Sequence, residues 1–257
     1  MKVKDILGIE PVAESAKIVI EKSFNGLGAF LESVFMPGLQ EFGFLIRDQV
    51  RTWRLNNALS VMNKAKGKLN YENGELNIKA NARVGLAIVE NCSMVDNAEL
   101  QDMWAGLFAS SCTEDGKDDS NIIFVNLLKR MSIIEAKVLK YSCENCKKKI
   151  YPNGLIVGDE LSISLDKLVS ITEIDDLYRL DRELDHMNSL SLFQINLSGI
   201  SGGFLANDKS LKANISPSAL ALNLYYKCTG VNKSEKEFWG DSLVACDYDE
   251  AEIDETV

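Results

Sequence analysis

The sequence predicts a mainly helical protein, in which an N-terminal helical domain precedes a smaller module of mixed helices and strands. In the first half, apolar residues recur every three or four positions, which is the spacing of one helix face. After residue 146, short alternations of apolar and polar residues, typical of strands, occur between helical stretches. The chain has 257 residues, 46% of them hydrophobic, so it can form a substantial core.

Two helices are predicted before residue 70. The first extends from about Val12 to Phe35 and ends before the break at Pro37-Gly38. The second has one apolar face, formed by Leu39, Phe42, Ile46, Val50 and Trp53. Because Trp53 continues this face, we expect its side chain to be buried.

The next helices are separated by polar turns at 70–74 and 113–120. One is predicted from about Ile78 to Cys92. Asp96 and Glu99 have the spacing of an N-terminal cap for the following helix. That helix has a wide apolar face of Leu100, Met103, Trp104, Leu107 and Phe108.

Two shorter helices are predicted at about 121–130 and 133–142. Ser132 and Glu135 have the spacing of a capping box at the start of the second one. Gly85 and Gly106 fall within predicted helices, where a missing side chain indicates a close contact with another helix.

The second module combines short strands with helices. Residues 161–165 alternate as in a strand, and 172–188 have helical spacing. Residues 193–197 and 211–215 alternate around a turn and predict a hairpin. A final helix is predicted to begin at Ser216-Pro217 and to end at Gly230. Helix, strand, helix, hairpin and helix form a winged-helix-like α+β module.

We therefore predict a helical domain over residues 1–146, the winged-helix-like module over 147–232 and an acidic C-terminal tail over 233–257. The net charge is −10, and the last eleven residues carry six acids and no base. An acidic balance argues against nucleic acid as the default partner, because Lys and Arg contacts to phosphate supply most non-specific binding.

We expect a cytoplasmic protein. No apolar run approaches the roughly 18 residues of a membrane-spanning helix. The charged start, Met1 to Glu10, lacks the apolar region of a secretory signal. The six cysteines are therefore expected to be reduced thiols rather than disulfides.

Several segments, in their order, resemble the abortive-infection alpha family. Residues 43–57 are similar to a family helix with an Arg-x-x-Trp-Arg core, and Glu99–Ser111 is similar to its Met-Trp-Ala helix. Residues 124–140 and 215–225 continue the resemblance, which covers roughly 12–230. The resemblance implies a role in bacterial defence against phage, in which infected cells stop growing or die. No catalytic residues are carried over from this resemblance.

Cys143 and Cys146 form a Cys-x-x-Cys pair, which could supply two zinc thiolates or a redox dithiol. A structural zinc site needs four ligands, and the single histidine, His186, is distant in sequence. The pair also lacks the strand–motif–helix context of a thioredoxin. We interpret both cysteines as structural and predict no metal and no other cofactor. His186 has no obvious metal or nucleophile partner and is expected to be structural.

Arg47, Arg51 and Arg54 follow one another at helical spacing and are the candidate binding residues. With Lys64, Lys66 and Lys68 they make residues 37–70 basic in an acidic chain. They form either a solvated strip that pairs with neighbouring acids or a docking surface for an acidic partner, a nucleic acid or an anionic membrane.

Two further features bear on the partner. The apolar stretch Phe24–Phe44 could lie in a membrane interface, but it has no basic residues and is better explained as core or as an oligomer interface. The presumptive recognition helix, 172–188, has six acids and two arginines, which oppose DNA binding.

No catalytic constellation is recognisable, such as a phosphate-binding glycine loop or a paired carboxylate. This absence predicts a protein without catalysis, and the family resemblance implies that it acts in phage resistance. We therefore expect it to bind a host or phage protein, as a sensor or a growth-arrest effector, and a homo-oligomer is compatible with this role. The alternatives are a winged-helix nucleic-acid-binding regulator and a membrane-perturbing effector.

Overall fold

The computed structural model describes residues 51–70, 78–193 and 212–246, together with Leu27, Phe30 and Val34. The chain divides into two compact units. The first comprises Met1–Arg130 and Lys227–Asn232, and the second comprises Met131–Tyr226 and Lys233–Val257. Helices predominate, with small sheets, so the mainly α fold class with a small α+β module is confirmed.

The first unit contains four described helices and a short antiparallel pair of strands. The elements are α1 (Arg51–Lys68), β1 (Lys79–Ala80), α2 (Ala82–Cys92), α3 (Ala98–Ser110), β2 (Cys112–Thr113) and α4 (Ile122–Leu128). Helix α3 packs against the other three helices. It is buried on nearly every side, as expected for a helix at the centre of a core.

Helix α3 begins one residue later than the predicted Asp96 cap. The side chain of Asn97 caps it, because Oδ1 accepts hydrogen bonds from the amides of Glu99 and Leu100, both at 3.0 Å. Asp and Asn are equally good N-caps, so adjacent candidates cannot be separated by residue type alone. The prediction of Asp96 as the cap is wrong by one position.

Gly106 allows close contact between backbones in the first unit. A Cβ atom at this position would lie 1.7 Å from the carbonyl oxygen of Cys228. Gly230 has φ +71°, and a Cβ atom added to it would lie 3.0 Å from the Cα of Gly106. The prediction that Gly106 marks a close contact is confirmed.

The second unit contains the remaining elements. They are α5 (Ile133–Asn145), β3 (Lys148–Ile150), β4 (Ile156–Gly158), β5 (Leu161–Ser164), α6 (Leu165–Thr172), α7 (Leu177–Ser189), β6 (Lys212–Ile215), α8 (Ala219–Thr229), α9 (Glu235–Trp239) and β7 (Leu243–Ala245). A 3₁₀ turn, Gly240–Ser242, connects α9 to β7. Thr229 and its two predecessors in α8 are assigned to the first unit. The predicted capping box of Ser132 and Glu135 at the start of α5 is confirmed.

Two sheets lie in this unit. One has the strand order β4-β3-β7, with β3 antiparallel to β4 and parallel to β7. In the other, β5 pairs antiparallel with β6, and Ile163 lies opposite Ala213. We predicted that 211–215 pairs with 193–197. The described partner of β6 is β5. Phe193 forms a bridge with Pro217, and the rest of the predicted hairpin partner, 194–197, lies outside the described residues.

The helix predicted over 172–188 begins only at Leu177, as α7, and the preceding helix α6 was not predicted. Helix α6 ends because Glu173 adopts a left-handed conformation with φ +61°, and Asp176 then caps α7 by accepting from the amide of Arg179. Glycine or asparagine usually occupies such a left-handed position, so Glu173 gave no signal in the sequence. The order β5, α6, turn, α7 and β6 follows that of a winged helix.

The predicted acidic tail, 233–257, begins with regular secondary structure. Residues 235–245 form α9, the 3₁₀ turn and β7, because Ser234 and Glu237 form a capping box and β7 pairs with β3. The acidic residues from Asp247 onward lie outside the described residues.

Candidate interaction surface at the start of helix α1

The three candidate arginines are described to different extents. Arg47 lies outside the described residues, and Arg51 is the first residue of α1, with its side chain undescribed. Arg54 is half-buried, and its Nε donates a hydrogen bond to Oγ of Ser93 at 3.0 Å. Ser93 follows the last residue of α2, so this bond attaches the start of α1 to the end of α2.

Trp53 is 41% exposed, so the prediction that it is buried is wrong. The buried face of α1 is formed by Leu55, Ala58, Leu59, Met62 and Ala65. Leu55 lies two positions after Trp53, which is about 200° around the helix axis. Trp53 therefore points away from the core that the rest of α1 helps to form.

Trp53 lies on the side of α1 that carries the turn after α2. Asn57 is four residues later, on the same helix face, and its Nδ2 donates to the carbonyl oxygen of Ser93 at 3.1 Å. The next residue in this turn, Met94, is 55% exposed. We call Trp53, Arg54 and Met94 the Trp53 surface.

Two lysines of α1 bond to neighbouring segments. Nζ of Lys64 donates to the carbonyl oxygen of Ala98 at 2.9 Å. Nζ of Lys68 pairs with Asp102 at 3.0 Å and donates to the carbonyl oxygen of Thr229 at 3.2 Å. These two contacts remove Lys64 and Lys68 from a freely solvated basic strip, leaving Arg54 as the described basic residue beside Trp53.

Cys143 and Cys146 are buried free thiols in the second unit. Sγ of Cys143 contacts the carbonyl oxygen of Ala221 at 3.8 Å, and Sγ of Cys146 contacts that of Cys143 at 3.9 Å. Burial raises the pKa of both thiols, which disfavours the thiolates that bind zinc. Within the described part of the chain, no three His, Cys, Asp or Glu side chains form a potential metal site. Elemental analysis is expected to show no stoichiometric zinc.

The only histidine has a buried partner that the sequence analysis missed. Nδ1 of His186 lies 2.5 Å from Oε1 of Glu135, which is completely buried. Oε2 of Glu135 accepts from the amide of Ser132 at 2.7 Å. The capping-box spacing identified Glu135 as a helix cap, but nothing local to the sequence connects it to a residue 51 positions away.

The acidic residues of the predicted recognition helix, 172–188, do not all lie on one helix. Glu173, Asp175 and Asp176 lie in the turn before α7, so α7 itself has three acids and two arginines. Arg179 lies 3.8 Å from Glu183, one turn along α7. The acidic character therefore belongs to the whole helix-turn-helix segment rather than to α7 alone.

The apolar stretch Phe24–Phe44 is described at three positions. Leu27, Phe30 and Val34 are helical and fully buried, and the ring centroid of Phe30 lies 6.4 Å from that of Phe108. These three residues belong to the core. The rest of the stretch lies outside the described residues. Among the helices that the structure describes, none combines the length and apolarity needed to cross a bilayer.

The family model described as abortive infection alpha matches residues 54–218. The match begins at Arg54, so most of the resemblance at 43–57 precedes it, whereas the Met-Trp-Ala segment in α3 falls inside. Searches of curated proteins and of solved structures found no significant match. Because the family model covers well over half of the chain, the protein belongs to the abortive infection alpha family, whose name indicates a role in bacterial defence against phage.

Proposed function

We propose that the protein acts in phage defence by binding another protein, of host or phage origin, through the Trp53 surface. The observation that carries this proposal is the exposure of Trp53, next to Arg54 on α1, and of Met94 in the turn that Arg54 and Asn57 bind through Ser93. Trp, Met and Arg are enriched in protein interfaces, and Trp and Arg dominate their binding energy.

The physical argument is one of unused apolar area. A tryptophan side chain can bury about 150–250 Å² of surface. Here the hydrogen bonds from Arg54 and Asn57 fix the end of α2 next to Trp53, which gives the surface a defined shape before any partner binds. A preorganised surface loses less conformational entropy on binding.

The described polar clusters support binding rather than catalysis. Glu135 and His186 bond to each other, Glu135 also accepts from Ser132, and the Cys143 and Cys146 thiols are buried against main-chain carbonyls. Each of these contacts stabilises a helix or connects two segments within the second unit.

A double variant, Trp53→Ala with Met94→Ala, tests the proposal directly. The doubly substituted protein should keep the parent's melting temperature to within a few degrees, while cells that express it should lose protection in a phage plaque assay. Ile123→Ala is the matched control, because Ile123 is 57% exposed in the same unit and should be dispensable. Full protection by the Trp53 and Met94 variant would refute the proposal.

A second copy of the chain is one partner that the same surface could bind. Sedimentation of the parent and of the Trp53→Ala variant distinguishes this case. A dimer that becomes a monomer on substitution would identify the partner as the chain itself, and an unchanged monomer would point to a different protein.

Nucleic-acid binding is the second candidate function, because β5, α6, α7 and β6 have the order of a winged helix. The acids of the turn and of α7 oppose it, since a recognition helix must approach phosphate. We expect no binding of duplex DNA by the full chain at physiological salt in a fluorescence anisotropy titration. Sub-micromolar binding that weakens steeply with salt would favour the regulator function instead.

A further inference from the structure

Lys148 is a buried cation that has no acidic partner among the described residues. It lies on β3 and is 2% exposed. Its Nζ donates to the carbonyl oxygen of Cys146 at 2.9 Å and lies 4.5 Å from the centroid of the Trp239 ring. Throughout residues 51–70, 78–193 and 212–246, no carboxylate oxygen lies within ion-pair distance of this Nζ.

The contacts of Lys148 satisfy its ammonium only in part. An ammonium carries three N–H donors and a full positive charge, and its burial is costly unless the charge is paired. The carbonyl oxygen of Cys146 accepts a hydrogen bond from one of these donors, and the face of the Trp239 ring provides a cation–π attraction. Among the residues that the structure describes, no group accepts from the other two donors or pairs with the charge.

Trp239 provides an independent second observation. Its side chain is 8% exposed, and its indole Nε1–H is buried without a hydrogen-bond acceptor in the described structure. Buried donors are normally satisfied, so each exception needs an explanation. Here the exception belongs to the ring that covers the Lys148 ammonium, so two buried groups with unused donors lie next to each other.

Two acids close to Lys148 in sequence bind other groups. Oε1 of Glu144 accepts from the hydroxyl of Tyr225 at 2.6 Å. Oδ1 of Asp159 lies 3.5 Å from Nζ of the neighbouring Lys149. The thiols beside Lys148 are themselves hydrogen-bonded to carbonyl oxygens. The described part of the cluster thus contains surplus donors and positive charge, and no described carboxylate accepts from them.

We propose that Lys148 and Trp239 form a binding site for a small anion, which accepts hydrogen bonds from the Lys148 ammonium and from the Trp239 indole. A halide, a carboxylate or a phosphate shares this chemistry. Entry requires movement of only a short segment, because α9 has five residues and, of these, Trp239 alone is fully buried. The bound anion would hold α9 against β3.

Thermal unfolding of the full chain in bromide, acetate or phosphate, compared at equal ionic strength, tests the site. The parent's melting temperature should rise saturably with one of these anions, by about 3–5 °C at ten times its dissociation constant. Lys148→Met keeps the apolar stem and should abolish this rise. Lys149→Met is the matched control, since Lys149 is partly exposed on the same strand, and should retain the rise.

A second variant keeps the test decisive if Lys148→Met does not fold. Trp239→Phe keeps an aromatic face over Lys148 but removes the indole donor, and it should weaken the anion's apparent affinity at least about fivefold. A crystal soaked in bromide should show an anomalous peak within hydrogen-bond distance of both donors. The proposal is overturned if no anion stabilises the parent, or if the parent and Lys148→Met respond equally, which is a general salt effect.

Discussion

Nδ1 of His186 lies 2.5 Å from Oε1 of Glu135, and this contact connects α7 to the first turn of α5. Glu135 also belongs to the capping box of α5, and the Ser132 hydroxyl of that box donates to Glu183 on α7 at 2.6 Å. One buried carboxylate therefore stabilises both a helix terminus and the packing of two helices.

Glu135 should make stability depend on pH. Burial raises the pKa of its carboxyl above the ordinary 4.5, although the bonds from Ser132 and His186 oppose the rise. When the pKa of a carboxyl is higher in the folded state than in the unfolded state, its protonated form stabilises the fold. This contribution to the free energy of unfolding is fully present below the unfolded-state pKa and is lost as pH rises through the folded-state pKa.

Glu135→Gln removes this titration. The difference in unfolding free energy between variant and parent should therefore shift in favour of the variant as pH rises from about 4 to 7, by about 1.4 kcal/mol for each unit of the parent's pKa shift. Urea unfolding at several pH values measures it, with Glu144→Gln on the same helix as the control. A difference that stays constant over this range would contradict the prediction.

Trp53 and Trp104 should differ sharply in their contribution to stability. Trp104 is 1% exposed in α3, so Trp104→Ala should cost about 3–5 kcal/mol. Trp53 is largely outside the core, so Trp53→Ala should cost about 1 kcal/mol or less. Denaturant midpoints of the two variants test the difference, and equal losses would show that Trp53 is packed in solution.

Gly106→Ala should be strongly destabilising. The added methyl group would meet the carbonyl oxygen of Cys228 at 1.7 Å, and backbone must move to admit it, at a cost of about 3 kcal/mol or more. Gly67→Ala is the matched control. Nothing lies within 4 Å of its Cβ position in α1, so alanine should stabilise that helix by about 0.5–1 kcal/mol. A tolerated Gly106→Ala would disprove the close approach.

Most of the cysteines should be inert in the folded protein. Cys92, Cys143, Cys146 and Cys228 are buried, and burial raises the pKa of each thiol. Ellman's reagent at neutral pH should therefore label at most Cys112 and Cys246 in the native protein, and all six cysteines in denaturant. Rapid labelling of Cys143 or Cys146 would instead reveal an accessible dithiol.

Neutralising the candidate arginines tests the binding surface from its charged side. Arg47, Arg51 and Arg54 changed together to Gln should leave a folded protein that fails to protect cells from phage. Circular dichroism and a plaque assay measure the two properties. Lys64→Gln with Lys68→Gln is the contrasting variant, because these lysines attach α1 to neighbouring segments and their loss should lower the melting temperature. Unchanged protection by the triple variant would assign the arginines to a solvated strip.

Predictions from the sequence failed where they depended on contacts rather than on local spacing. The predicted apolar face that ends at Trp53 has helical periodicity. Periodicity shows that its residues share one side of a helix, but it does not show which of them contact the core. The strand at 211–215 was recognised, yet its pairing with β5 depends on residues about fifty positions away. The donor cluster of Lys148 and Trp239 had no signal, because a lysine next to two others normally indicates an exposed segment.

The sequence by itself determined the local features of this protein. The Ser132–Glu135 capping box, strand β5 and the end of α8 at Gly230 depend on hydrogen bonds and backbone preferences within a few residues. Only the tertiary structure decided that Trp53 is exposed, that Lys148 is buried beneath Trp239 and that His186 meets Glu135. Burial and electrostatic pairing arise between segments far apart in the chain, so no local pattern can specify them.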